Sequence, residues 1–229
     1  MRSLGTGTGD RGLPKPDSMR DLIKRRLAAT RIERDARARM LANVEGAVSP
    51  AMLELLDRPS REAAVLLPLI ERPEGWTVLF TERAGHLEHH PGQVSFPGGR
   101  IDGEHEDAVG AALREAWEEV RLPPRDVAVA GELPPHITGT GFTIMPVVGF
   151  VPGDFRPQPD PEEVAAVFEV PLDFIMSPGN VRVARRERLG TRFRMYELDY
   201  GGRLIWGATA MVLVTFVGLL SYDETERYR

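Results

Sequence analysis

The segment from Gly99 to Val120 restricts what this chain can fold into more than any other stretch. After the glycine pair that opens it, the segment has no proline and is rich in alanine, so we expect it to be helical. At about 100° per residue, Glu115, Glu118 and Glu119 fall within roughly one third of the helix circumference. We expect the opposite side to be buried through Val109, Leu113, Ala116, Trp117 and Val120.

Three carboxylates at positions i, i+3 and i+4 repel one another by a few tenths of a kcal/mol per pair on an exposed helix. A divalent cation would offset this repulsion. Carboxylate oxygens suit Mg²⁺ or Mn²⁺, and the chain has no cysteine for a thiolate site. The alternative is a solvated acidic helix face. The glycine turn and neighbouring Arg114 argue against it, as do the small residues beside the carboxylates, Ala108, Ala111 and Ala112.

The pattern resembles the Nudix box, in which a glycine and a loop precede a helix carrying Arg-Glu-x-x-Glu-Glu. Residues 114–119 match that sequence, and Glu106 stands eight residues before the arginine, as is usual. The glycine lies one residue further away than usual, and Arg121 replaces the final glycine. The resemblance implies hydrolysis of nucleoside diphosphates linked to another group, with metal held by glutamates of the box.

The stretch before the helix, from Thr81 to Gly99, carries three histidines, His86, His89 and His90, among glycine and proline. Zinc is one interpretation, but no further histidine or cysteine cluster completes such a site in the sequence. We favour a surface loop beside the substrate.

This loop is similar to the signature of the coenzyme A pyrophosphatase branch of Nudix hydrolases. Arg83, Leu87, His90 and the run from Gly92 to Gly99 stand at matching spacing, whereas the usual basic residue after the leucine is Glu88 here. The similarity covers about residues 63–220. It implies a hydrolase that splits coenzyme A or an acyl derivative into 3',5'-ADP and 4'-phosphopantetheine or its acyl derivative.

Two other classes stay open. One is a Nudix enzyme for another nucleoside diphosphate derivative, such as a nucleotide sugar, ADP-ribose or a dinucleoside polyphosphate. The other is a non-catalytic Nudix domain that binds a ligand or a partner. Such domains tend to lose box glutamates, and this chain keeps all of them.

The resemblance also implies roles for individual residues. Glu115 and Glu119 are the best-supported metal ligands, Glu118 completes the cluster, and Arg114 orients the carboxylates. The Gly99 carbonyl is a further metal candidate because glycine lets backbone approach closely. Glu163 is either another metal-binding carboxylate or a solvated loop acid, and the general base stays open among the glutamates. The substrate-side candidates are Arg83, His90 and Gln93.

The rest of the sequence predicts an α/β protein. The apolar run Ala64 to Ile70 predicts a strand buried on both faces, and Glu74-Gly75 turns it into a pairing strand from Trp76 to Thr81. Further strands are expected at residues 143–151, 164–170, 191–198 and 203–206, followed by an apolar helix at residues 207–220. Together these elements fit the Nudix α/β/α sandwich with a mixed β-sheet.

We expect a disordered arm at residues 1–16, a helical extension at 17–60, the Nudix domain at 61–222 and a tail at 223–229. The extension carries basic residues that could attract nucleic acid, although such a face is more often solvated. The net charge of −5 gives no global case for nucleic-acid binding. Residues 208–220 are too short to span a membrane, and the lack of cysteine fits a cytoplasmic location. The oligomeric state stays open, with a homodimer among the alternatives.

Overall fold

The computed structural model describes residues 16–29, 35–87, 90–103 and 105–221. The predicted tail, Glu88 and residues 1–15 of the predicted arm lie outside the described residues. The helices are α1 Pro16–Ala29, α2 Ala36–Leu41, α3 Pro50–Asp57, α4 Ala108–Val120, α5 Leu172–Met176 and α6 Gly207–Ser221. Short 3-10 turns occupy Pro124–Asp126 and Pro178–Asn180.

The strands form two sheets. The larger is mixed, because β1 runs parallel to β7 while its other pairings are antiparallel. Its members are β1 Arg61–Arg72, β2 Gly75–Arg83, β3 Val94–Ser95, β4 Gly98–Arg100, β5 Ala128–Glu132, β6 His136–Ile137, β7 Phe142–Val151 and β8 Val164–Pro171. The smaller sheet is antiparallel, in the order β11-β10-β9, with β9 Arg182–Arg188, β10 Thr191–Tyr200 and β11 Arg203–Trp206.

Strand β1 is buried on both faces, as the apolar run predicted. Leu66 and Ile70 belong to the core under α4, whereas Leu67 and Leu69 belong to the core under α1 and α6. Alternate residues of a strand point to opposite faces, so one strand serves both cores. With helices on both faces of a mixed sheet, the predicted α/β/α architecture is confirmed.

Helix α4 begins later than predicted. Only Ala108–Val120 is helical, and Asp107 caps its N-terminus by accepting a hydrogen bond from the Gly110 amide at 2.7 Å. Arg100, which was predicted to be helical, belongs instead to the strand Gly98–Arg100, which pairs with residues 63–65 of β1. That pairing satisfies backbone groups that a helix would have satisfied internally. The described residues between Arg100 and Ala108 form neither helix nor strand.

The predicted faces of α4 were partly wrong. Trp117 is 45% exposed and lies beside Arg121, whereas Ala111, Ala112 and Ala116 are fully buried. The small side chains let the helix approach the sheet closely, so the alanine stripe, rather than the tryptophan, faces the core. As a consequence, Glu119 is carried to the inner edge of the helix, where it is only 3% exposed.

The N-terminal segment carries α1, α2 and α3 and is joined to the smaller sheet. The amide of Glu45 donates to the Arg192 carbonyl at 2.9 Å, and the Arg194 amide donates to the Asn43 carbonyl at 2.8 Å. Helix α1 buries apolar side chains in the main core, and its Arg20 guanidinium lies 4.4 Å from the Phe150 ring centre. One of the basic residues of this segment is therefore engaged in packing. Within the described ranges, no helix is both long and apolar enough to cross a bilayer.

Candidate active site

Arg114 links the loop before α4 to the helix. Its Nε donates to Glu106 at 2.9 Å, its Nη1 donates to Glu115 at 2.8 Å and to Glu118 at 3.2 Å, and its Nη2 donates to the Arg100 carbonyl at 2.9 Å. Glu106 also accepts the Asp102 amide at 2.7 Å. A planar guanidinium with five N–H donors suits this task, because it holds several acceptors in fixed directions. The arrangement orients two of the three carboxylates of the motif.

Gly99 is required by the position of Glu115. A Cβ at residue 99 would collide with the Glu115 carboxylate. Burial is the main cause that raises the pKa of Glu115, with smaller contributions from Glu118 and Glu163, whereas the hydrogen bond from Arg114 lowers it. The missing side chain thus lets the backbone of β4 and a partly buried carboxylate share one small space.

Glu119 is the most unusual side chain of the helix. Burial is the first cause that raises its pKa, to about 8, and the neighbouring charges of Glu115 and Glu163 add to this, while Arg83 and the Gly98 backbone lower it. Its Oε2 atom is buried without a hydrogen-bond partner among the described residues. A buried acceptor without a partner is costly, so its retention calls for a ligand.

These residues fit a divalent cation. Within the described ranges, no three acidic or histidine side chains converge closely enough to enclose a metal ion by themselves. Mg²⁺ does not need such a cage, because it usually keeps several waters and is held by one or two carboxylates together with substrate phosphates. The unpartnered Glu119 oxygen and the half-buried Glu115 supply oxygen donors of that kind.

A cleft of about 530 Å³ meets this site at Arg83 and Gly98, which both act on the Glu119 carboxylate, whereas none of its lining residues belongs to α4. Its lining includes Gly98 and all three predicted substrate-side residues, Arg83, His90 and Gln93. Five arginines and one glutamate line it, so it is locally basic although the whole chain carries a net charge of −5. Much of the remaining wall is apolar and is formed by residues such as Met40, Ile144, Phe193, Met195, Trp206 and Met211.

The NUDIX domain family matches residues 60–189, more than half of the chain. This chain belongs to the Nudix family. Nudix hydrolases act on phosphoanhydride bonds and generally use divalent metal ions such as Mg²⁺ or Mn²⁺.

Curated relatives agree with this assignment. The uncharacterized Nudix hydrolases NudL of Enterobacter sp. (strain 638) and of Salmonella paratyphi B are each 43% identical over 153 residues, which is 67% of this chain and 79% of theirs. Among solved structures, a Nudix hydrolase from M. smegmatis, RenU, is 28% identical, with a TM-score of 0.41 over 52% of this chain and 78% of that one. The name NudL does not specify a substrate.

Several residues of this Nudix protein's cleft were missed from the sequence. Arg39 comes from α2, His136 from β6, and Arg186 and Arg188 from β9. They are far apart along the chain, and no motif or spacing connects them. Two stretches of the sequence carry clustered arginines, the run that becomes β9 and the basic helical extension. Neither pattern indicates which side chains line a cleft.

The Thr215 hydroxyl organises one end of the cleft. It donates to the Met211 carbonyl at 2.9 Å, and it lies 3.1 Å from Arg39 Nη2 and 3.3 Å from His136 Nε2. A guanidinium can only donate, so Arg39 donates to the hydroxyl oxygen, whereas the direction of the hydrogen bond with His136 depends on the tautomer of the imidazole. Burial, and then the charge of Arg39, lowers the pKa of His136 to about 4.

Proposed function

We propose that this Nudix hydrolase cleaves the diphosphate of coenzyme A or an acyl-coenzyme A, releasing 3',5'-ADP and 4'-phosphopantetheine or its acyl derivative. The observation that carries the proposal is the composition of the cleft. Its volume lies in the range of about 300–1,000 Å³ that is common for ligand pockets. It joins the Arg83, His90 and Gln93 loop to a basic wall and an apolar wall.

Each part of coenzyme A has a counterpart in this lining. The five arginines favour a substrate with several negative charges, because a basic cleft concentrates anions even in an acidic protein. The methionine and aromatic side chains favour a long and weakly polar arm such as pantetheine or an acyl chain. A nucleotide sugar offers only polar groups to that apolar surface, and it lacks a further phosphate for the arginines.

Glutamates of α4 and nearby oxygen atoms would hold the metal ion, and Arg114 would position them. We assign Glu115 and Glu119 as metal ligands, with Glu118, Glu163 and the Gly99 carbonyl as additional oxygen donors. Bound Mg²⁺ or Mn²⁺ supplies charge neutralisation on the diphosphate and lowers the pKa of water. Arg114 is a positioning residue, because its hydrogen bonds reach Glu115, Glu118 and the loop rather than the cleft.

In the reaction, a water oxygen attacks one phosphorus of the diphosphate, and the bridging P–O bond breaks. The leaving half departs with the bridging oxygen, and a carboxylate accepts the proton of the attacking water. A glutamate of α4 or Glu163 takes that proton. On the substrate side, Arg83 at the end of β2 and His90 and Gln93 in the loop before β3 contact the substrate.

A panel of diphosphates incubated with Mg²⁺ and with Mn²⁺, with products identified by mass, tests this function. We expect release of 3',5'-ADP from coenzyme A and acyl-coenzyme A, and no turnover of ADP-ribose or NADH. Preferred turnover of a nucleotide sugar or a dinucleoside polyphosphate would instead establish the rival Nudix activity. Absence of turnover with every compound, despite tight binding of one, would establish a ligand-binding domain.

A further inference from the structure

We propose that the turn at residues 138–141 and the side chain of Arg188 form a subsite for a phosphomonoester of the substrate, separate from the diphosphate that is cleaved. The inference rests on the proposed function, since coenzyme A carries such a group on its ribose. It deepens that function by naming the residues that would distinguish coenzyme A from diphosphates that lack this phosphate.

The turn offers unused hydrogen-bond donors to the cleft. Its sequence is Thr-Gly-Thr-Gly, and the Gly141 amide closes it by donating to the Thr138 carbonyl at 3.1 Å. The amides of Gly139 and Thr140, between these two residues, donate to no group in the described part of the chain. Successive backbone N–H groups of a turn can form an anion-binding concavity. Residues 138–140 all line the cleft.

Hydroxyl groups add to this set. The Thr138 hydroxyl accepts the Phe142 amide at 3.1 Å and lies 2.9 Å from the Thr140 hydroxyl. A hydroxyl can rotate its proton toward a new acceptor. A phosphate at the turn would therefore meet two amides and a hydroxyl without displacing the hydrogen bond that closes the turn.

Arg188 supplies the positive charge. A Cβ built on Gly139 would lie 2.8 Å from Arg188 Nε, so the arginine side chain rests directly on the turn. In the described part of the chain, Arg188 has no acidic partner and makes no side-chain hydrogen bond, whereas Arg186 on the same strand pairs with Glu197 at 3.3 Å. In the β9–β10 register Arg188 pairs with Thr191 and Arg186 with Phe193, so both arginines share one face with these buried residues.

The chemistry of these groups fits a phosphomonoester better than a carboxylate or a neutral sugar. A phosphate dianion has three terminal oxygens, enough to accept from two amides, a hydroxyl and a guanidinium together. A single charged hydrogen bond of this type changes affinity by about 10- to 100-fold.

The test compares coenzyme A with 3'-dephospho-coenzyme A in the full chain. For Arg188→Ala we expect the ratio of kcat/KM for coenzyme A over the dephospho compound to fall by about 10- to 100-fold, through KM. Arg188→Lys should recover part of the ratio. Gly139→Ala should lower it as well, because the added methyl displaces the arginine while its charge remains.

The matched control is Arg192→Ala. Arg192 is exposed and belongs to the same hairpin, and it is not among the residues that line the cleft. It should leave the ratio unchanged. Equal losses for both substrates in Arg188→Ala, or no loss for either, would overturn the subsite.

A binding measurement separates this inference from the proposed function. We expect the parent chain to bind 3',5'-ADP at least tenfold more tightly than 5'-AMP by calorimetry, and Arg188→Ala to abolish the difference. If that difference is seen while coenzyme A is not hydrolysed, the subsite stands and the proposed function fails. If coenzyme A is hydrolysed while the two nucleotides bind equally to the parent, the function stands and the subsite fails.

Discussion

The carboxylate site on α4 and the β9 wall of the cleft differ in how their charges are satisfied. On the α4 side, Arg114 already binds three carboxylates and a carbonyl, so the acidic groups are held in place before any ligand arrives. On the β9 side, Arg188 rests on a turn whose Gly139 and Thr140 amides have no acceptor among the described residues. The first arrangement suits chemistry, which needs fixed geometry. The second leaves donors for recognition.

Glu119 is the exception on the α4 side, and it gives the largest expected effect. Glu119→Gln keeps the shape of the side chain but removes the charge. We expect kcat to fall by about 10²- to 10⁴-fold on the preferred diphosphate, in the range of a lost catalytic carboxylate. Without metal, the variant should be at least as stable as the parent, because one oxygen of the buried carboxylate has no hydrogen-bond partner among the described residues, which is costly. Steady-state kinetics and metal-free thermal unfolding measure the two effects.

Glu118→Gln is the control for that comparison. Glu118 lies on the same helix and its side chain is 47% exposed, so its loss should cost less activity and change metal-free stability little. If Glu119→Gln turned over every tested diphosphate as fast as the parent with Mg²⁺, the assignment of Glu119 would be wrong. A large drop in metal-free stability would show that its charge is structurally paired.

The chemistry of the helix could be predicted because its residues are neighbours in sequence. Glu115, Glu118 and Glu119 share a helix face through the helical repeat, and the paired glycines before them indicated a close backbone approach. The repeat fixes angles between side chains but does not say which third of the helix meets the sheet. For that reason Trp117 was predicted to be buried and is exposed, while the alanine stripe makes the contact.

The wall of the cleft that β9 forms could not be predicted in the same way. Strand β9 has four arginines among its seven residues and no apolar alternation, so nothing local marks it as a strand. It is a strand because β10 pairs with it across a tight turn, and β10 in turn pairs with residues 43–45. Arg39, His136 and Arg188 line one cleft although they belong to three elements that are far apart along the chain.

His136, which lines the cleft, gives the second prediction, a loss of folding stability in acid. Its pKa is about 4 in the fold against about 6.5 unfolded, so the neutral form stabilises the fold above pH 6.5. As pH falls from 6.5 to 4, the unfolded chain binds a proton that the folded chain does not, and stability is lost. At most about 3 kcal/mol disappears in that window, and below pH 4 the loss is complete.

Chemical denaturation of the parent and of His136→Gln between pH 4 and pH 7.5 measures this effect. The glutamine variant cannot titrate, so its free energy of unfolding should fall less steeply below pH 6.5. Carboxylates titrate in both proteins, so the difference between the curves isolates the histidine. Parallel curves would mean that His136 is protonated in the fold as readily as in the unfolded chain.

The smallest expected effect compares two non-glycine residues in the left-handed region, one on each side. Arg121 has φ 57° at the end of α4, and Leu189 has φ 49° in the turn after β9. For a residue with a side chain, that conformation costs roughly 1–2 kcal/mol. A substitution to glycine removes this cost, but it recovers only part of the stability because glycine raises the conformational entropy of the unfolded chain. Leu189→Gly should therefore stabilise by about 0.5–1 kcal/mol. Arg121→Gly should gain less, because Arg121 also donates to Asp160 at 3.0 Å, an ion pair of about 0.2–1 kcal/mol.

Denaturation midpoints at unchanged m-value measure both substitutions, and Asp160→Asn isolates the ion pair. In the Asp160→Asn background, Arg121→Gly should become as stabilising as Leu189→Gly, because the compensating contact is then absent. The helix still ends at residue 121 in either case, since the Arg121 amide donates to the Trp117 carbonyl and the Leu122 amide donates to the Ala116 carbonyl. If Arg121→Gly already stabilised as much as Leu189→Gly in the parent, the contact with Asp160 would contribute nothing. The arginine that replaces the usual glycine of the Nudix box would then be a residue that the helix end merely tolerates.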